Sequence, residues 1–420
     1  MKLAGDGREL PGSMPVSEAR QMVLAEVEPL AVESVPLAEA AGRVNAVPVT
    51  TADDVPAFDT SSMDGFAVNT ADFDLADGQD TVPQLELAVV GDSGAGSPWT
   101  AALEPGTAVT ISTGAAMPPG ADAVVKVEDT GPLPGGVLTP RPTPGQNVRH
   151  RGEVMAAGTQ VLEAGIRIGP VETGLLAATG RDPVDCHRRP RVAIVATGDE
   201  LVAPGEPRGP GQIWNSNLPV ISEMVRAAGG EVVSARTVAD SPEATRAALE
   251  AALEAALDSD LIAICGGVSV GDHDHVAAAL SGLGVERRFW GLALRPGRPT
   301  WFGVRGRTRV LGLPGNPVSA MAVFAILGAP LIRSLSGERP AVKQGSGVLA
   351  APVDRRGDRM LAAPCRSHRR GGRVELEPIR IKGSHDFLSL SGADALAMIE
   401  SGTGSAAAGD EVPVVMLRGQ

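Results

Sequence analysis

From Arg191 to about Leu335 the chain repeats one pattern four times: a β-branched or apolar run, a loop, then an amphipathic or apolar run long enough for a helix. RVAIVATGDEL opens the series, and NLPVISEMVRAAGG follows as a helix with Ser216 or Asn217 as its cap and Gly229 just past its end. EVVSARTVAD and SPEATRAALEAALEAAL form the second pair, with Pro242 at the first helical position. DLIAICGG with DHDHVAAALSGL is the third, and RTRVLGLPGNP feeding PVSAMAVFAIL is the fourth. Strands this continuously apolar are buried on both faces. The alternation therefore predicts a parallel sheet covered by helices, with ligands bound outside the carboxyl ends of its strands.

Elsewhere the pattern changes. From about Ser17 to Ala41 the spacing predicts an amphipathic helix, a short connection and a second helical turn ending at Gly42. QLELAVV, GTAVTIST and ADAVVKVED are short β-rich runs between Gly and Pro clusters, as in a small all-β unit. Beyond about Gly337, SGVLAAPV, RVELEPI, ALAMIE and EVPVVML read as a second, β-barrel-like module. The expected class is α/β plus β, multidomain. A discontinuous N-terminal helical and linker domain takes residues 14–50 and 147–188, and an inserted β-rich domain takes 51–146. The parallel-sheet α/β domain takes 189–336, and the β-barrel-like domain 337–420. The 52 glycines and 34 prolines supply the turns, while 43% apolar residues keep the chain out of the disordered class.

Several function classes drop out. Lys and Arg number 37 against 50 Asp and Glu, a net charge of −13, and the basic residues are scattered. No cationic stripe is available to neutralise a phosphate backbone, so nucleic acid is not an expected partner. Cys186, Cys265 and Cys365 lie far apart with no CxxC spacing, which fits neither a disulfide framework nor a zinc site and suits a reducing compartment. The first residues, MKLAGDGRELPGSMP, carry charge where a secretory signal is apolar. The uncharged stretch from Val310 to Ile332 contains Pro314, Pro317 and Pro330, so it reads as strand, loop and buried helix instead of a membrane span. There is no GxxxxGK[ST], no GxGxxG after a strand, no GxSxG and no HExxH.

Three polar loops fall on the carboxyl edge of the predicted sheet. They are Thr197-Gly198-Asp199-Glu200, the run from Gly266 to Asp274, and Leu313-Pro314-Gly315-Asn316-Pro317-Val318-Ser319. Glycine loops at strand ends expose backbone N–H groups that, with a helix N-terminus, cradle an anion. Glu200, Asp272 and Asp274 beside such a cradle would repel the anion unless a hard cation such as Mg²⁺ bridged carboxylate to phosphate. The combination predicts a magnesium-dependent phosphate-ester site, although one such loop alone reads as readily as an ordinary capped turn. Arg295-Pro296-Gly297-Arg298-Pro299 sets two guanidinium groups around a rigid turn, suited to an oxyanion or to a solvated hairpin. Asp59 to Ala67 concentrates carboxylates and hydroxyls before Gly65, and Thr113 to Pro118 is a weaker signal of the same kind.

Taken together, SSMDGFA, TGDEL, GGVSVGDHD, RPGRP and GLPGNPVS, in this order and at these spacings, resemble the MoeA family. These are the molybdopterin molybdenumtransferases, to which the E domain of gephyrin belongs. The resemblance covers nearly the whole chain and implies a cytoplasmic, elongated homodimer of four subdomains. It implies molybdenum cofactor biosynthesis, in which adenylylated molybdopterin and molybdate, with Mg²⁺, give molybdenum cofactor and AMP. By motif position it implies Asp64, Glu200, Asp240 and Asp274 as catalytic residues, with Glu200, Asp272 and Asp274 toward the metal. It implies Thr113, Gly266, Gly267, Ser269, Arg295, Arg298, Pro299, Asn316 and Ser319 as contacts to pterin phosphate or molybdate. A molybdopterin adenylyltransferase and apo-molybdoenzymes are further implied partners.

The chain departs from the family pattern in places. Arg295 and Arg298 stand where lysines are usual, which keeps the charge and changes the hydrogen-bond geometry. With only four lysines in the chain, general drift toward arginine is the simpler cause. Val154 stands where an acidic residue is frequent, and Phe66 where Tyr is usual. In the C-terminal module Arg359 and Arg366 both remain candidates for an oxyanion contact, while Gly383-Ser384-His385 and Ser389 match the family better. The competing functions are a cofactor carrier or scaffold without chemistry, adenylyl transfer to molybdopterin, and use of tungstate in place of molybdate.

Overall fold

The computed structural model describes residues 13–25, 27–75, 84–254, 259–268, 275–339, 345–355 and 357–417. The chain divides into two compact units. One is Met1–Val47, Ala164–Thr173 and Pro183–Gln420; the other is Pro48–Glu163 and Gly174–Asp182.

In the first unit a six-stranded sheet has the order Glu231–Val238, Arg191–Thr197, Leu261–Cys265, Thr308–Leu313, Trp301–Arg305, Glu286–Trp290. The first four strands are parallel, as the alternation predicts. The last two, which lie outside the fourfold alternation, are antiparallel. Arg305 pairs with Thr308 across Gly306 and Arg307, and a two-residue turn returns the chain antiparallel because a parallel partner needs a long crossover.

Alternate side chains of the central strand enter two cores. Val192, Ile194 and Ala196 pack with Ile221, Val225, Phe324 and Leu327 on one face. Ala193 and Val195 pack with Leu249, Ile262, Ile264 and Leu280 on the other. This two-sided burial is why the strand reads as an unbroken apolar run, and each large aliphatic side chain buried this way contributes about 1.5–3 kcal/mol. The helix Pro317–Leu335 has a π-turn at Phe324–Gly328. It is the one helix among the described residues long and apolar enough to cross a membrane, and 78% of its apolar window is buried in the fold.

Local details refine the expectations. The helix Asn217–Ala227 is capped by the Asn215 side chain, whose Oδ1 accepts the N–H groups of Asn217 and Leu218 at 3.1 and 3.2 Å; neither Ser216 nor Asn217 caps it. The first helix is Val16–Leu24 only. Val32–Val35 then forms a strand against Val184–His187, and a single 3₁₀ turn, Leu37–Glu39, precedes Gly42. The C-terminal segment closes a small barrel from Ser346–Leu349, Met360–Arg370, Arg373–Pro378, Ala395–Ile399 and Glu411–Met416, because Met360–Arg370 pairs with both Arg373–Pro378 and Ala395–Ile399.

The second unit holds a six-stranded sheet in the order Ala123–Lys126, Gly65–Val68, Thr107–Ile111, Gln84–Ser93, Gly136–Pro140, Gly131–Leu133. Its pairs are antiparallel except for Gln84–Ser93 beside Thr107–Ile111. Val68, Phe73, Leu87, Val125 and Val137 form its core.

At the amino ends of the parallel strands, Asp260 is only 9% exposed and accepts three N–H bonds. Two come from the Arg188 guanidinium, at 2.8 and 2.7 Å, and one from the Arg191 backbone at 2.8 Å. Arg188→Ala leaves that carboxylate buried without its counter-charge. The expected loss is about 2–3 kcal/mol, discounted from the fully buried case because the guanidinium is a third exposed. Urea denaturation of the variant checks it, and a loss below about 0.5 kcal/mol would show that the pair contributes nothing net.

Candidate functional site

Register sets the site. Ala196 pairs with Cys265 and Cys265 with Leu313, so three strands end in one row and their loops open on one edge. The Gly266 N–H donates to the Leu313 carbonyl at 3.1 Å. Gly266 and Gly267 have φ of +92° and +65°. A Cβ on Gly266 would meet the Thr197 carbonyl at 2.9 Å, and one on Gly267 would meet Val276 Cγ2 at 2.6 Å, so this approach admits only glycine. Beneath them Thr197 is 7% exposed, and its hydroxyl has no hydrogen-bond partner among the described residues. Burial pushes the Cys265 thiol up to about 12, which removes it as a nucleophile at neutral pH.

The carboxylates lie around this edge. Glu200 is exposed, and its carboxylate folds back to within 2.6 Å of where a Gly198 Cβ would stand. Its carbonyl accepts the Ile213 N–H at 2.7 Å. Asp199 Oδ1 accepts the Asp240 N–H at 3.0 Å, which joins the loops after two neighbouring strands. Ser269, Asp272 and Asp274 lie outside the described residues.

The arginine turn packs on the long helix. A Cβ on Gly297 would meet Val323 Cγ2 at 2.7 Å, so glycine lets the turn approach that helix closely. The Arg298 carbonyl accepts N–H bonds from Leu292 at 2.9 Å and Thr300 at 2.8 Å, leaving the Arg298 side chain exposed. Arg295 ends a short strand, Leu294–Arg295, that pairs in parallel with Met360 and Leu361 of the barrel. Arg359 directly precedes that pairing. Arg366 lies further along the same strand with Glu377 at 3.7 Å, so register favours Arg359 as the arginine beside the turn. Pro299 is half-buried and Ser319 is 4% exposed in the first turn of the long helix.

The third loop is tied on both sides. Asn217 donates from Nδ2 to the Gly315 carbonyl at 2.7 Å, and Asn316 donates from Nδ2 to Ser384 Oγ at 2.9 Å. The Ser384 carbonyl accepts the Val318 N–H at 3.1 Å. Nearby, Asp386 accepts bonds from the Lys382 N–H and the Ser389 hydroxyl, which hold its carboxyl below the usual carboxylate range. Asn215 and Asn217 escaped the sequence reading as site residues. The one available signal was two amides, Asn215 and Asn217, at a helix start that needs one cap.

Asp64 and Thr113 belong to the other unit. Thr113 donates to Asp64 Oδ1 from its backbone N–H at 2.7 Å and its hydroxyl at 3.0 Å. Thr113, expected to contact substrate, orients Asp64 through these two bonds. Gly65 is required because a Cβ there would stand 2.0 Å from the Val125 carbonyl.

Among the described residues the sheet edge offers carboxylate and hydroxyl oxygens at Asp199, Glu200 and Thr197, donors that suit a hard cation such as Mg²⁺. No three His, Cys, Asp or Glu side chains converge among the described residues, and two of the three expected ligands fall outside them.

Comparison with known proteins agrees with this architecture. Residues 14–180 match the model described as "MoeA N-terminal region (domain I and II)", 193–334 the "Probable molybdopterin binding domain", and 342–417 the "MoeA C-terminal region (domain IV)". The chain is 33% identical to the molybdopterin molybdenumtransferase of Haemophilus influenzae over 96% of this chain and 98% of that one. It is 36% identical to molybdopterin molybdenumtransferase 2 of Mycobacterium tuberculosis over 91% and 94%. The crystal structure of the molybdopterin biosynthesis MoeA protein from Pyrococcus horikoshii superposes with a TM-score of 0.81 at 31% identity, covering 97% of this chain and 100% of that chain.

The two Thr113 bonds favour ionised Asp64 and hold its carboxyl below the usual carboxylate range. The stability they contribute is present at neutral pH and is lost as pH falls through that lowered value. Thr113→Val removes the hydroxyl donor and keeps the backbone one. The Asp64 carboxyl titration, followed by carbon NMR, is expected to move upward; an unmoved midpoint would show that the hydroxyl contributes nothing.

Proposed function

The chain belongs to the MoeA family of molybdopterin molybdenumtransferases, and on that premise we propose that it inserts molybdate into adenylylated molybdopterin, with Mg²⁺, to give molybdenum cofactor and AMP. It is an enzyme of molybdenum cofactor biosynthesis. The observation that supports the finer reading is the single row of strand ends, which gathers glycine loops and a carboxylate on one edge. The substrate is a phosphate and pyrophosphate anion and molybdate is a tetrahedral oxyanion, so both need such donors.

In this reading the Gly267 backbone N–H, with Ser269 and Asn316, cradles the pterin phosphate, and Gly266, whose N–H bonds to the Leu313 carbonyl, shapes the loop beside it. Arg295 and Arg298, flanked by Pro299 and Ser319, hold molybdate, each guanidinium offering a fork of donors to an oxyanion. Glu200, Asp272 and Asp274 would hold Mg²⁺, which when bound supplies charge neutralisation at the phosphates. Alternatively Glu200 and Asp274 orient a water that attacks phosphorus: the new P–O bond forms as the bridging P–O bond breaks, the water's proton passes to the carboxylate, and AMP leaves, with Asp240 in support. In the other unit Asp64, oriented by Thr113, is the proposed catalytic carboxylate. A homodimer, a cytoplasmic setting, and exchange with a molybdopterin adenylyltransferase and apo-molybdoenzymes complete the proposal.

The test is AMP release from adenylylated molybdopterin by the purified chain, with and without each ion. Release is expected to require both molybdate and Mg²⁺, and Glu200→Gln and Asp274→Asn are expected to slow it by roughly 10²–10⁴. Tight binding without release would overturn the reading in favour of a carrier. ATP consumption would point to adenylyl transfer, and unchanged release by Asp274→Asn would remove that residue from the chemistry.

A further inference from the structure

One tryptophan stands apart in a chain with four tryptophans and no tyrosine. Trp301 is 2% exposed and Trp99 and Trp290 are partly buried, whereas Trp214 leaves 49% of its surface in solvent, next to Ile213 at 52%. A tryptophan kept for the core would bury its ring. Trp214 is exposed and nevertheless held. Its Nε1–H donates to the Glu206 carbonyl at 3.0 Å, and the Arg208 guanidinium carbon lies 3.9 Å from the ring centroid. The loop that supplies both contacts is closed on itself, since the Gly209 N–H donates to Gln212 Oε1 at 2.8 Å and the Gln212 N–H to the Gly209 carbonyl at 3.2 Å.

The ring's place in the fold is equally specific. Trp214 pairs with Val202, two residues beyond Glu200, and the Ile213 N–H donates to the Glu200 carbonyl at 2.7 Å. The next residue, Asn215, donates from Nδ2 to Thr237 Oγ1 at 3.0 Å, near the end of the neighbouring parallel strand Glu231–Val238. Trp214 therefore stands on the carboxyl edge of the sheet, beside the first of the strand-end loops.

We infer that Arg208 and Trp214 form a stacking platform for a fused, nitrogen-rich aromatic ring of the substrate. An indole face accepts such a ring whatever its hydrogen-bonding edge, and a guanidinium plane does the same. A side chain already fixed by two contacts loses little freedom when a ligand covers it. The inference rests on the insertion reading given above and deepens it. Adenylylated molybdopterin carries two rings of this chemistry, adenine and pterin, one on either side of the phosphoanhydride. Trp214 and Arg208 touch a ring and not the reacting phosphorus, so their contribution is to binding.

The test titrates the full chain with AMP alone, with neopterin alone and with ribose phosphate alone, by calorimetry and by tryptophan emission. A ring seated on Trp214 quenches that emission, and Trp214→Phe removes the quenching while retaining most of the affinity. Trp214→Ala and Trp214→Leu, the latter apolar but without a π-face, are expected to weaken the seated ring roughly 5- to 100-fold. Arg208→Gln weakens it in the same direction. Ribose phosphate, which has no aromatic ring, binds alike to every variant, and Ile213→Ala, at an equally exposed neighbour, leaves ring affinity unchanged. A loss for AMP assigns adenine to the platform, and a loss for neopterin assigns the pterin. A wild-type chain that binds neither compound overturns the inference, as does unchanged affinity for both in Trp214→Ala and Trp214→Leu, or an equal loss in Ile213→Ala. Should Trp214→Ala fail to fold, Trp214→Leu against Trp214→Phe decides. A chain that releases no AMP from adenylylated molybdopterin while its ring binding depends on Trp214 overturns the insertion reading only. Ion-dependent release with ring binding indifferent to Trp214 overturns the platform only.

Discussion

Parallel strand pairing in register is the constraint on which the site depends. With Ala196, Cys265 and Leu313 in one row, three loops that are distant in the chain must emerge side by side. The pairing is anchored at the opposite end, where Asp260 binds Arg188 and Arg191 and its own backbone bonds to the flanking strands at Arg191 and Arg309. Two-sided burial then makes any slip expensive, because Val192 and Ile194 on one face and Ala193 and Val195 on the other would exchange environments.

Within that frame, chemistry is shaped by what is left out of the backbone. Gly266, Gly267 and Gly297 each stand where a Cβ would collide with Thr197, Val276 or Val323. Their absence of side chain brings the glycine loop close to the strand ends and the arginine turn close to the long helix. In the other unit Gly65 does the same under Asp64, whose carboxylate is aimed by the two donors of Thr113. Positioning is thus achieved by close backbone approach and short hydrogen bonds.

Much of the α/β architecture was legible because burial on both faces writes itself as unbroken apolar runs, and RVAIVAT and LIAIC are such runs. The antiparallel turn at Gly306 was not, since a strand's direction leaves no mark on its own composition. Met360–Arg370 also escaped notice: it begins apolar, contains Pro364 and ends in Arg366-Ser367-His368-Arg369-Arg370, so half of it resembles a solvated run. The helix expected from Ser17 onward stops at Leu24, and VESV becomes a strand because Val184–His187 supplies its partner from far along the chain.

By itself the sequence determined the alternation of elements, the polar loops at strand ends, and motifs specific enough to point to the family. Those features are local, written in side-chain periodicity and in glycines next to one another. Only the tertiary structure decided that Thr113 orients Asp64, that Asn215 caps a helix while Asn217 reaches Gly315, and that Ser384 meets Asn316. The physical reason is range: a hydrogen bond of about 3 Å is set by where two backbones cross in space. Residues 217 and 315 carry no trace of one another until the sheet has paired.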